Sequence, residues 1–128
     1  MKVCLDTDVL VDCLRGLPAA ERWLQAHAED EFVVPGIAAM ELLVGARDRA
    51  DLKRIQAFLR GFEVIWPDAR EFARAWDLLA AHHLASGVGI PDAIIAAQAI
   101  ERSLRLQSLN LKHYRVFPGL NVQAPYQR

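Results

Sequence analysis

A chain of 128 residues, 53% of them hydrophobic and 24% charged, holds enough apolar material for one domain with a sizeable core, spanning residues 1–128. No apolar run reaches the length of a membrane span, and the N-terminus lacks the basic-then-apolar layout of a signal peptide, so a cytoplasmic globular protein is expected. The net charge of −1 offers no global attraction to a polyanion, and Cys4 and Cys13, at a spacing that suits no zinc motif, read as two reduced, packed thiols.

The first element is the apolar run Lys2–Asp6, which reads as a buried parallel strand, followed by a helix over Val9–Arg15 that starts near Asp8. Gly16 and Pro18 end that helix, and a second follows over Ala19–Ala28. A short strand, Phe32–Val34, is separated by Pro35-Gly36 from a helix over Ile37–Ala46. Further along come a helix over Asp51–Leu59, a strand over Phe62–Trp66 and a long helix over Asp68–Ala85. The turn Gly87-Val88-Gly89-Ile90-Pro91 leads into a helix over Asp92–Arg102, and a last strand spans Leu104–Leu109. Strands alternating with helices of this length predict βαβ units and a mostly parallel sheet covered on both faces. Two stretches are locally basic: Arg47 to Arg60, and the segment after residue 100 with Arg102, Arg105, Lys112, Arg115 and Arg128 against the single acid Glu101. Such stretches are ordinarily solvated helix faces.

Four polar residues stand where apolar ones are expected. Asp6 closes the first strand, at the edge where open α/β sheets bind ligands, and an unpaired carboxylate there would be costly. Glu41 has Ile37 and Val44 one turn to either side and Met40 beside it, which puts it next to a core-facing stripe, either at its border with water or inside a site. Asp92 opens a helix that is nearly apolar all round, where it serves as a cap, a metal ligand, or both. Asn110 follows the last strand and on its own reads as a turn former. Three carboxylates meeting at one end of a sheet repel one another unless a cation lies among them. The ligands are all oxygens, which favours a hard ion such as Mg²⁺ or Mn²⁺ and, with it, phosphodiester hydrolysis.

Leu5-Asp6-Thr7-Asp8-Val9-Leu10-Val11-Asp12 resembles the opening motif of PIN domains, in particular the VapC-type ribonuclease toxins of bacterial toxin–antitoxin pairs. Ala39-Met40-Glu41-Leu42 and Pro91-Asp92-Ala93-Ile94-Ile95-Ala96-Ala97 resemble the later acidic motifs in the family's order, and Ser108–Tyr114 with Phe117–Val122 resembles its tail. The resemblance implies a PIN-like three-layer α/β/α sandwich, a Mg²⁺- or Mn²⁺-dependent endoribonuclease, a homodimer, and a cognate VapB-type antitoxin that occupies or blocks the active-site groove. It implies that Asp6 and Asp92 hold the ion, with Glu41 acting through an ion-bound water that it positions or deprotonates, and that Thr7 or Ser108 orients a ligand or phosphate. Lys112, His113 and Arg115 lie just beyond Asn110, where they are expected to contact the RNA backbone, whereas His27, His82 and His83 are expected at the surface. Many family members carry an Asp where this chain has Asn110; the neutral amide predicts a weaker or absent second ion site.

Two rivals remain. Haloacid-dehalogenase phosphatases also open with a strand and Asp-x-Asp, but they need a downstream lysine and a late acidic pair, whereas this chain has only Lys2, Lys53 and Lys112 and no Asp-Asp. The other is a degenerate, non-catalytic PIN domain that binds RNA or antitoxin, a reading kept alive by Asn110.

Overall fold

A computed structural model describes residues 1–128. The strands are β1 (Lys2–Leu5), β2 (Glu31–Pro35), β3 (Glu63–Ile65), β4 (Arg105–Gln107) and β5 (Val122–Gln123). They form one sheet in the order β3-β2-β1-β4-β5, and every pairing is parallel. β1 is therefore central, and its residues Val3, Cys4 and Leu5 are buried on both faces, as a continuous apolar run requires. Seven helices flank the sheet in a PIN-like α/β/α arrangement: α1 (Thr7–Leu14), α2 (Pro18–Ala26), α3 (Gly36–Val44), α4 (Arg49–Leu59), α5 (Ala69–Ser86), α6 (Ile90–Glu101) and α7 (Leu111–Tyr114). No helix is long and apolar enough to cross a membrane.

Several boundaries move for physical reasons. α1 begins at Thr7 because the extended Asp6 is its N-cap, accepting a hydrogen bond from the Thr7 N–H at 2.9 Å. α6 begins at Ile90, with Pro91 in its first turn, so Asp92 sits inside the helix and caps nothing. β4 ends at Gln107, and Asn110 starts α7 without a capping bond from its side chain. α7 and β5 are too short, at four and two residues, to produce a periodic signal in the sequence.

The stripe that Glu41 borders does not face the core. Met40 is 51% and Val44 86% exposed, while α3 buries Ala38, Ala39 and Leu42 instead. Those residues lie at helical spacing too, and two alanines let the helix approach its neighbours more closely than Met40 and Val44 would. α6 buries seven consecutive residues from Ala93 to Ala99, and the amide of Gln98 donates to the Ile65 carbonyl at 2.9 Å, tying that helix to the end of β3. Cys4 is buried and Cys13 half-buried, and neither forms a disulfide. Burial holds both thiols protonated, that of Cys13 at about 11. The C-terminal segment returns to α1, where the Arg128 guanidinium grips Asp12 through both oxygens at 3.0 and 3.2 Å and the Tyr126 hydroxyl donates to it at 2.9 Å.

Candidate active site

The register of β1 against β4 places the site. Leu5 pairs with Gln107, so the next residues, Asp6 and Ser108, leave the sheet side by side at its C-terminal edge. The Ser108 hydroxyl donates to Asp6 Oδ2 at 2.7 Å and accepts from the Asn110 N–H at 3.0 Å. Asp8, in the first turn of α1, accepts from the Leu109 N–H at 3.0 Å, while its other oxygen, Oδ1, is buried without a partner. Asp6 is only 6% exposed. Burial first, and the charge of Asp8 second, push its carboxyl up to about 7, against the pull of the Ser108, Thr7 and Tyr114 hydrogen bonds. Burial also raises Asp8.

The short helix α7 turns Tyr114 inward and leaves Lys112 and His113 exposed. Tyr114 Oη lies 3.1 Å from Asp6 Oδ1 and 3.4 Å from Asp92 Oδ1, so one hydroxyl spans two of the expected acids. The third, Glu41, is exposed and set back: its carboxylate accepts from the Thr7 hydroxyl at 2.8 Å. No three His, Cys, Asp or Glu side chains stand close enough to hold one ion by themselves. The acids are instead linked in series, Glu41 to Thr7 to Asp6 and Asp6 to Tyr114 to Asp92.

Asn110 reaches neither Asp6 nor Asp92 through a hydrogen bond; its Nδ2 lies 3.0 Å from His113 Nδ1. That ring nitrogen is in turn 3.5 Å from Asp92 Oδ2. It can accept from Asn110 or donate to Asp92, but not both at once. The residue beside Asp92 is thus His113, while Arg115 is exposed just past α7. Of the remaining histidines, His27 and His82 are half-buried against Trp23 and Phe117, contrary to their expected surface placement, because an imidazole packs well on an aromatic ring. His83 is exposed, and its Nδ1 lies 2.7 Å from the Val88 carbonyl. Sequence reasoning missed Tyr114 as a site residue. An aromatic in a polar tail announces burial, but nothing in the string says which partner its hydroxyl meets.

The donor set suits a hard divalent ion in chemistry. Asp6 and Asp92 flank the Tyr114 hydroxyl with two carboxylates, all-oxygen donors, and burial penalises the unbalanced charge of Asp6. Beside Glu41 a shallow groove of about 370 Å³ runs between α1, α3 and α4, with Val11, Leu14, Leu42 and Ile55 as an apolar floor and Arg15, Arg47 and Arg54 among its walls.

An all-parallel sheet with acids at its C-terminal edge defines an open α/β protein with a site at the sheet edge, and comparison with known proteins narrows it. The family model described as PIN domain matches residues 3–116. A Mycobacterium tuberculosis protein named Ribonuclease VapC19 is 35% identical over 127 residues, covering 95% of this chain and 98% of its own length. Ribonuclease VapC10 of the same organism is 30% identical, covering 92% and 90%. Among solved structures, a toxin–antitoxin complex from Klebsiella pneumoniae superposes with a TM-score of 0.81 at 28% identity over 98% of this chain and 99% of that one. VapBC2 from Rickettsia felis, bound to a DNA fragment from its promoter, shares the fold with a TM-score of 0.84 at 21% identity, covering 97% and 98%. This chain belongs to the PIN-domain family, in its VapC branch.

Proposed function

We propose that the protein is the endoribonuclease toxin of a VapBC-type pair, hydrolysing RNA phosphodiester bonds with Mg²⁺ or Mn²⁺ and neutralised by a cognate VapB-type antitoxin. The observation that carries this reading is the convergence of Asp6 and Asp92 on one hydroxyl at the sheet edge, in a chain 35% identical to a protein named a ribonuclease.

Asp6 and Asp92 would hold the ion, and a divalent cation bound there supplies Lewis-acid stabilisation of the phosphoryl charge and acidifies a bound water. The remaining steps belong to the chain's own residues. Glu41, held by the Thr7 hydroxyl and open to solvent, positions the attacking water and takes its proton. Ser108 and the Thr7 N–H each hold one oxygen of the Asp6 carboxylate. Lys112 and Arg115, exposed around α7, bind the RNA backbone by charge, and the exposed His113 contacts it by hydrogen bonding. The absence of an acid at Asn110 favours one tight ion site over two.

The groove beside Glu41 suits an amphipathic antitoxin segment, with apolar residues against its floor and an acidic one towards Arg15, Arg47 and Arg54 being paired with Asp51 in the same groove. Homodimerisation fits the apolar face of α5 and the start of α6, where Phe72, Trp76 and Ile90 are all exposed and the last two line a hollow of about 430 Å³.

The test is incubation of purified protein, shown to be free of antitoxin, with total tRNA and ribosomal RNA in Mg²⁺ or in EDTA. Cleavage is expected in Mg²⁺ alone, and Asp6→Ala is expected to reduce it more than ~100-fold. The set-back position of Glu41 favours a second reading, a non-catalytic PIN domain that only binds RNA or antitoxin. Absence of cleavage of every RNA under these conditions would establish that reading in place of the first.

A further inference from the structure

Tyr114 is the largest fully buried side chain in the molecule, at 0% exposure. A buried phenol needs a partner for its hydroxyl, and any carbonyl would serve. This one lies instead between two carboxylates, 3.1 Å from Asp6 Oδ1 and 3.4 Å from Asp92 Oδ1, and no other hydrogen-bonding group joins those two acids. A phenylalanine would fill the same volume and pack on Phe117 as Tyr114 does, so packing alone does not call for the hydroxyl.

Counting lone pairs shows what it does. A carboxylate offers about four acceptor positions. On Asp6, Oδ1 accepts from the Thr7 N–H and from Tyr114, and Oδ2 accepts from Ser108, which leaves one position open on Oδ2. With Tyr114 in place, the Asp6 carboxylate has a single rotation and a single free position. The hydroxyl's one proton goes to Asp6 at 3.1 Å and is shared with Asp92 at the longer 3.4 Å, which keeps Asp92 beside it. Two like charges that would otherwise repel are held at one spacing by a neutral group. Burial and the two neighbouring charges keep its proton in place.

We propose that Tyr114 is a positioning residue of the ion site, its hydroxyl setting the orientation of Asp6 and the Asp6–Asp92 spacing so that a divalent cation meets two ligands already in place. This inference rests on the divalent-ion reading given above.

Its test uses the full chain and two readouts independent of RNA cleavage. In calorimetric titration with Mn²⁺, Tyr114→Phe is expected to bind ~10–100-fold more weakly than wild type, the usual effect of removing a group that orients a metal ligand. The chain has only two tyrosines, so fluorotyrosine labelling gives two fluorine resonances, assigned by loss of one in Tyr126→Phe. Mg²⁺ is expected to shift the Tyr114 resonance and leave that of Tyr126, bonded to Asp12, in place. This second readout needs no folded Tyr114 variant. Equal Mn²⁺ affinity in wild type and Tyr114→Phe, or an unmoved Tyr114 resonance in ion-saturated protein, would overturn the Tyr114 role while leaving the ion reading intact. No ion binding by wild type in either experiment would remove both.

Discussion

Asp6 carries a conflict that has a measurable signature. Its carboxyl titrates at about 7 in the folded chain, whereas an unfolded carboxyl titrates near 3.8. Between those values the folded state holds a proton that the unfolded state has lost, so stability falls as pH rises through this window. The cost from this one group is on the order of 4 kcal/mol, fully present above pH 7 and absent below about pH 4. In EDTA, Asp6→Asn is therefore expected to be ~1–4 kcal/mol more stable than wild type at pH 8, with the gap closing towards pH 4. Denaturant unfolding at several pH values measures this, and a variant no more stable at pH 8 would contradict it. At this scale Asp6 was legible because a charge ending an apolar strand is anomalous in the sequence itself. Tyr114 was not, because its meaning depends on a contact 108 residues away. Glu41 was legible as an oddity but assigned to the wrong face, since Ala38 and Ala39 lie four and three residues before Leu42, at helical spacings just as Ile37-Met40-Val44 do, and only tertiary packing chooses between them.

Among the elements, the α5–α6 pair has its own lock. Asp68 and Glu71 form a reciprocal capping box at the start of α5, and Glu71 is fully buried. Arg102, at the end of α6, reaches it with two bonds of 2.7 and 3.1 Å and donates a third to the Trp66 carbonyl at 2.9 Å. Removing the arginine strands a buried carboxylate, so Arg102→Ala is expected to cost ~3–5 kcal/mol in urea unfolding. Adding Glu71→Gln, which keeps the acceptor for the Asp68 N–H but not the charge, is expected to recover part of that loss. If the double variant is no better than Arg102→Ala, the stranded charge is not the cause. The long helices and the four longer strands could be placed from periodicity and from Gly and Pro breaks. Their ends moved by at most two residues, as at α1, which Asp6 caps, and at α6, which starts at Ile90 with Pro91 in its first turn.

On the scale of the whole molecule, the alternation of strands and helices was enough to foresee a parallel sheet, but not which surfaces remain open. Trp76 is 75% exposed, because α5 turns Ala75 and Leu78 inward instead. If that face joins two copies, wild type should run at twice the chain mass in light scattering, and Trp76→Glu should run as a monomer with unchanged melting. A Trp76→Glu protein that remains dimeric would place the interface elsewhere.

The strand order has a consequence for when the site can exist during synthesis. β1 emerges first but lies mid-sheet, paired at Val3 with Arg105, and Asp6 draws its hydroxyl partners from Ser108 and Tyr114. A nascent chain on the ribosome, with β1, β2 and β3 already assembled, has one edge of its central strand bare and its key carboxylate without either hydroxyl. Asp92 is made only after more than two-thirds of the chain. A protein that cuts RNA would thus be translated beside the ribosome's own RNA as an unfinished site, and it becomes competent only when its last quarter folds back on its first strand.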